Sequence, residues 1–141
     1  MSPDDAAFVK IISALPVTTY HAGETILNDG SKTGRLFILK NGEVAVLKNS
    51  AVLARADQRG AVFGELAALL DQPHGADVRA LRDSDFHIAD VKLLEEDPVL
   101  LLGVARMLAR RFVIANDGLV AMKSPRAEQV IAKMQQILIP F

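Results

Sequence analysis

Cysteine is absent from the 141-residue chain, which removes disulfide frameworks, thiolate nucleophiles and every zinc site built on sulfur. No run of about 18 apolar residues occurs. The longest candidate, 99–114, is interrupted by Gly103, Arg106, Arg110 and Arg111 and is too polar to span a bilayer. A basic leader running into an apolar segment is also lacking: Met1-Ser2-Pro3-Asp4-Asp5 carries acids there, so a cytoplasmic location is expected. Enzyme signatures are missing as well. There is no Gly-x-Ser-x-Gly elbow, no Walker loop and no dinucleotide fingerprint. His21, His74 and His87 have no paired ligand spacing, so neither a metal site nor an enzyme is expected.

Charge is nearly balanced, with a net of −1, which argues against bulk attraction to nucleic acid. Its distribution is uneven. Residues 1–97 hold ten Lys/Arg against fifteen Asp/Glu, whereas 98–141 hold six against two. The basic end suits the polar face of a terminal helix. The size fits one ordinary domain, and half the residues are apolar, enough for a single core.

Ser2-Pro3 followed by two aspartates reads as a helix start, and Phe8, Ile11, Ile12 and Leu15 recur at helical spacing before Pro16 ends the run. From Val17 to Val91 short apolar runs alternate with glycines, the pattern of short strands and tight turns. Arg35–Lys40, Asn41-Gly42 and Glu43–Lys48 read as a β-hairpin closed by a two-residue type I′ turn. Val52–Arg55 and Phe86–Val91 read as further strands, with His87 on the surface between Phe86 and Ile88. Consecutive antiparallel strands favour a rolled or closed sheet.

Glu65–Leu70 is rich in helix formers and halts at Asp71-Gln72-Pro73. After Pro98 the helical pattern returns, with Leu101, Val104, Ala105, Leu108, Phe112 and Ala115 on one face and the three arginines largely opposite. Asn116-Asp117-Gly118 is a place where this helix can bend or end. Ser124-Pro125 starts another helix carrying Val130, Ile131, Met134, Ile137 and Leu138. Two amphipathic helices exceed what a small β domain can cover, so homodimerisation through them is expected.

The segment 60–78 is the candidate site. A glycine before a short helix lets backbone N–H groups approach an anion. Phe63-Gly64-Glu65-Leu66-Ala67, with Pro73 downstream, resembles the phosphate-binding cassette of cyclic nucleotide-binding domains, found in catabolite-activator-type regulators, kinase regulatory subunits and nucleotide-gated channels. Ala22–Ile26, Gly30 and Leu36–Val44 follow that family's strand and glycine order, and the resemblance covers about 5–115.

The resemblance implies a mainly β fold with flanking helices: an antiparallel jelly-roll-type β-roll with an N-terminal helix, a short cassette helix and C-terminal helices. Residues 1–97 would form the N-terminal helix and roll, and 98–141 the dimer or effector segment. It also implies a regulatory or sensor module for cAMP or cGMP, with Phe63 among the ligand-binding residues, Glu65 accepting the ribose hydroxyl and the backbone of Gly64, Leu66 and Ala67 facing the phosphate. In that family an arginine after the cassette proline neutralises the phosphate. Here His74 stands there, followed by Gly75, Ala76 and Asp77.

A guanidinium gives phosphate a permanent charge and a fork of donors, whereas a mostly neutral imidazole gives one. The loss weakens binding by roughly ten- to a hundredfold. Asp77 adds repulsion, and Arg79 or Arg82 could compensate, although Arg79 points away if Val78 faces the core. From sequence, His74 is either an exposed loop residue or a weak anion ligand whose protonation makes binding pH-dependent. The alternative function is a ligand-independent interaction module on the same fold. A catabolite-activator-type transcription regulator is a third, disfavoured because only 116–141 remain for a DNA-binding unit, and DNA is not an expected partner.

Overall fold

A computed structural model describes residues 3–121. Helix α1 (Pro3–Ser13) leads into strands β1 (Val17–Tyr20), β2 (Thr25–Leu27), β3 (Arg35–Asn41), β4 (Val44–Lys48), β5 (Ala51–Ala56) and β6 (Val62–Phe63). Helix α2 (Glu65–Leu70), strands β7 (Asp77–Ala80) and β8 (Ser84–Asp90), and helices α3 (Val91–Glu96) and α4 (Pro98–Ala121) complete the order. The strands form two four-stranded antiparallel sheets, β1-β8-β3-β6 and β2-β7-β4-β5, and the sheets do not close into a barrel. This is the expected β-roll with flanking helices.

Strand β3 shows why the layers stack as they do. Its Leu36–Leu39 run is buried on both faces. Phe37 and Leu39 join Ile26, Leu27, Val44, Val46, Phe63, Val78 and Phe86 inside the roll. Leu36 and Ile38 join Leu15, Val62, Ala68, Ala89, Leu94, Leu100 and Val104 beneath the helices. A period-two side-chain pattern therefore feeds two cores from one strand. Phe86 is the hub of the inner one, meeting Tyr20, Phe37 and Phe63 edge to face at centroid distances of 5.9, 6.4 and 6.1 Å.

The strands read as a hairpin from sequence, β3 and β4, lie in different sheets. β3 is bonded to β6 and β8, and β4 to β5 and β7. Asn41-Gly42 is instead a corner between layers. Only Gly42 has positive φ, at 114°, while both central residues of a type I′ turn need it. A Cβ at Gly42 would overlap Ser84, whose hydroxyl accepts the Glu43 N–H at 3.1 Å and donates to the Arg82 carbonyl at 2.8 Å. The actual hairpin is β4–β5, turned at Asn49 (φ 51°) and Ser50 (φ 67°) between the Lys48–Ala51 pair, without a glycine.

Helix α1 packs on α4 where Phe8 lies over Gly103, and a Cβ there would overlap the Phe8 ring. Gly103→Ala is expected to loosen this contact at a cost of about 1–3 kcal/mol, measured by denaturant unfolding, with the strands unchanged in their exchange protection.

Helix α4 runs unbroken through Asn116-Asp117-Gly118 to Ala121. Its buried stripe is Leu100, Val104 and Ala115, whereas Leu101, Ala105 and Phe112, read as part of the packed face, are exposed. Helix α3, where the sequence suggested only the end of a strand, starts at Asp90, whose carboxylate accepts the Lys92 N–H at 3.0 Å. The helix expected after Ser124 and its apolar positions lie outside the described residues.

Candidate functional site

The site is built where β6 passes through Gly64 into α2. Gly64 sits in the left-handed region at φ 81°, and an added Cβ would come within 3.0 Å of the Arg35 carbonyl, 3.1 Å of His74 Cε1 and 3.3 Å of Leu27 Cδ1. Only glycine combines that backbone angle with that crowding. The turn delivers Glu65 into the protein, 3 % exposed, while Leu66 is half-buried and Ala67 buried. Phe63 anchors the entry against Phe86.

Glu65 is bonded to Arg111 of α4, whose second guanidinium nitrogen donates to the Val62 carbonyl at 3.0 Å. One arginine thus ties the helix to the cassette and to the strand before it. The sequence reading placed all three α4 arginines largely opposite the packed face. Arg111, although exposed, lies in line with the buried Val104 and Ala115, seven residues after the one and four before the other, a spacing that was visible in the sequence, and its guanidinium reaches in to Glu65.

Burial pushes the Glu65 carboxyl above its ordinary value near 4.5, with Arg111 pulling it down less strongly. A raised native pKa means that the folded state holds its proton more tightly than the unfolded one. Stability from this group is therefore complete below about pH 4.5 and is lost as pH rises through the raised native value. Glu65→Gln should gain on the wild type over that rise, read as a growing difference in denaturant midpoints across a pH series.

His74 is not an exposed loop residue. It is 1 % exposed, with its ring behind Gly64 and Nε2 hydrogen-bonded to Thr33 Oγ1 at 2.7 Å. Its backbone is held on both sides: the N–H donates to the Ser31 carbonyl at 2.7 Å, and the carbonyl accepts from Gly30 at 2.8 Å. Three residues of the loop after β2, Gly30, Ser31 and Thr33, therefore hold His74 with its imidazole turned inward. Gly75 is half-buried and Ala76 fully buried beside it. Asp77, half-buried at the start of β7, accepts the Asp29 N–H at 2.6 Å.

Neither proposed replacement for the missing arginine turns toward the cassette. Arg79 occupies the exposed position between buried Val78 and Ala80, and Arg82 donates to the Gly42 carbonyl at 3.1 Å on the interlayer corner. His87, expected on the surface, is 5 % exposed, and its Nδ1 is hydrogen-bonded to the Leu15 carbonyl at 3.2 Å. The outer face of its sheet is covered by the helical layer, so alternation along β8 does not lead to water on either side.

Comparison with known proteins agrees with this architecture. The family model described as "Cyclic nucleotide-binding domain" matches residues 17–95. A cGMP-dependent protein kinase of Eimeria tenella is 42% identical over 107 residues, 75% of this chain and 9% of that protein. A cAMP-dependent protein kinase regulatory subunit of Aspergillus niger is 34% identical over 103 residues, 72% of this chain and 24% of that protein. The chain therefore spans less than a quarter of the length of these relatives. A solved structure described as "Sp-2Cl-cAMPS bound to PKAR CBD2" superposes with a TM-score of 0.67 at 25% identity, covering 90% of this chain and 84% of that one. The catabolite activator protein of Thermus thermophilus shares the fold with a TM-score of 0.66 at 23% identity over 86% of this chain and 60% of its own. With a family match over more than half its length and relatives at 42% and 34% identity over more than two thirds of it, this chain belongs to the cyclic nucleotide-binding domain family.

Proposed function

We propose that the chain is a regulatory module without catalytic chemistry, which binds a cyclic nucleotide at the cassette and passes occupancy to α4. Glu65 meets the ribose, and the backbone of Gly64, Leu66 and Ala67, together with His74, Gly75, Ala76 and Asp77, borders the cyclic phosphate. cAMP and cGMP are the ligands to test, because the relatives are named for them. Binding is weakened, since the arginine of the family's cassette is replaced by an inward-turned imidazole.

The observation that carries this reading is the buried Glu65 bonded to Arg111. A ligand hydroxyl on that carboxylate competes with or rearranges the guanidinium, so the helix and the ligand share one group. A ligand can shift the helix only by its difference in affinity for the two arrangements.

Isothermal titration tests the reading. Micromolar dissociation constants are expected for at least one cyclic nucleotide, weakened roughly ten- to a hundredfold in Glu65→Gln, where a charged acceptor is lost. Heat changes absent at millimolar ligand would count against it.

A second reading, an interaction module working as a homodimer, is favoured by one feature of α4. Phe112, Val113 and Ile114 are 56 %, 56 % and 70 % exposed in consecutive positions. Light scattering is expected to report a dimer at micromolar concentration, and a monomer for Phe112→Ser with Ile114→Ser. Monomer in the wild type would remove this reading. Among the described residues no helix is long and apolar enough to cross a membrane.

A further inference from the structure

The charges around the cassette are already matched to one another. Among the described residues, Lys32 is paired with Asp71 at 2.9 Å, Lys48 with Asp29 at 2.8 Å, and Arg111 with Glu65. Arg82 is committed to the Gly42 carbonyl, and Arg79 points away from the core. Arg35 begins β3 at an exposed position, and its charge acts on Tyr20, where burial holds the phenol above its ordinary value and Arg35 pulls the other way. Against these stands Asp77, whose carboxylate takes a backbone N–H and, among the described residues, no cation. His74, at the position next to the cassette proline, is spent on Thr33.

An anion entering here gives up its water where Lys32, Lys48 and Arg111 are already bonded to carboxylates and Arg82 to a carbonyl, and it meets Asp77 as well. A neutral ligand carries no such cost. The buried carboxylate of Glu65 favours a particular neutral group. A carboxylate has about four lone-pair positions. Arg111 and the residue's own N–H are its contacts, which leaves capacity for hydroxyl donors. A 3′,5′-cyclic phosphate offers one ribose hydroxyl, because its 3′ oxygen is esterified, whereas a free nucleoside offers two on adjacent carbons.

We infer that the cup takes an uncharged ribonucleoside at least as tightly as the matching cyclic nucleotide. The inference rests on the reading of Glu65 as the ribose contact and adds the class of ligand. Isothermal titration of the full chain with adenosine, guanosine, cAMP and cGMP in one buffer tests it. The dissociation constant of each nucleoside should equal or fall below that of its cyclic nucleotide.

His74→Arg and, independently of whether that variant folds, Asp77→Asn should reverse the order. Cyclic nucleotides would gain, by roughly ten- to a hundredfold for the arginine, while nucleosides move less than about threefold. A cyclic nucleotide at least tenfold tighter than its nucleoside in the wild type overturns the inference and leaves the proposed function standing. Silence from all four ligands at millimolar concentration, with the thermal transition intact, overturns both.

Discussion

Phe86→Ala is expected to cost about 3–5 kcal/mol and to leave the protein largely unfolded at physiological temperature. Phe86 is fully buried and meets three other aromatic rings, one from each of β1, β3 and β6. Truncation removes the group that the inner faces of these strands share and leaves a cavity that stiff strands cannot collapse into. Because Phe63 is the residue before Gly64, the loss also frees the entry to the cassette. Denaturant unfolding of the variant checks it. A loss below about 1 kcal/mol would show that the rings do not act as one unit. Phe86→Leu, which keeps most of the volume, should recover more than half of the loss.

Arg111→Ala is expected to cost about 1.5–3 kcal/mol, less than removal of a partner from a fully buried pair, because water reaches part of the guanidinium. The damage comes less from the missing bond than from what is left: a carboxylate at 3 % exposure with its cation gone. Glu65→Gln in the same chain should therefore restore most of the stability, since it removes the stranded charge. A double variant no more stable than Arg111→Ala would show that the arginine acts through packing alone. The single variant should also raise amide exchange in the second half of α4, which Arg111 holds to Val62 and Glu65.

These two sites differ in how far the sequence announces them. The roll, the opening helix and the short helix after Gly64 were legible, because apolar spacing and turn residues act locally. The corner at Asn41-Gly42 was not. Asn-Gly favours a tight hairpin when two strands can pair only with each other, but β3 is taken by β6 and β8 and β4 by the next strand, β5, and by β7. Tertiary pairing overrides the local preference there, and the hairpin forms instead at Asn49-Ser50, which carries a weaker signal.

The cassette residues were likewise legible as a run, 63–67 and 73–77, but their neighbours were not. Nothing local to Pro73-His74-Gly75 reveals that Thr33 takes the imidazole inward, since the two residues are 41 positions apart. His87 misled for a related reason: alternation tells which face a residue takes, not whether a helix covers that face. Arg111 lay within reach, because its spacing from Val104 and Ala115 lines it up with the buried stripe, from which its long side chain can reach the cassette.

The link between cassette and helix is tested most directly by amide hydrogen exchange across 98–121, with and without saturating ligand. If the carboxylate of Glu65 is shared between ligand and Arg111, protection around 108–118 changes on binding while β3 and β8 keep theirs. Identical exchange along α4 in the free and saturated protein would mean that the helix does not sense the cup.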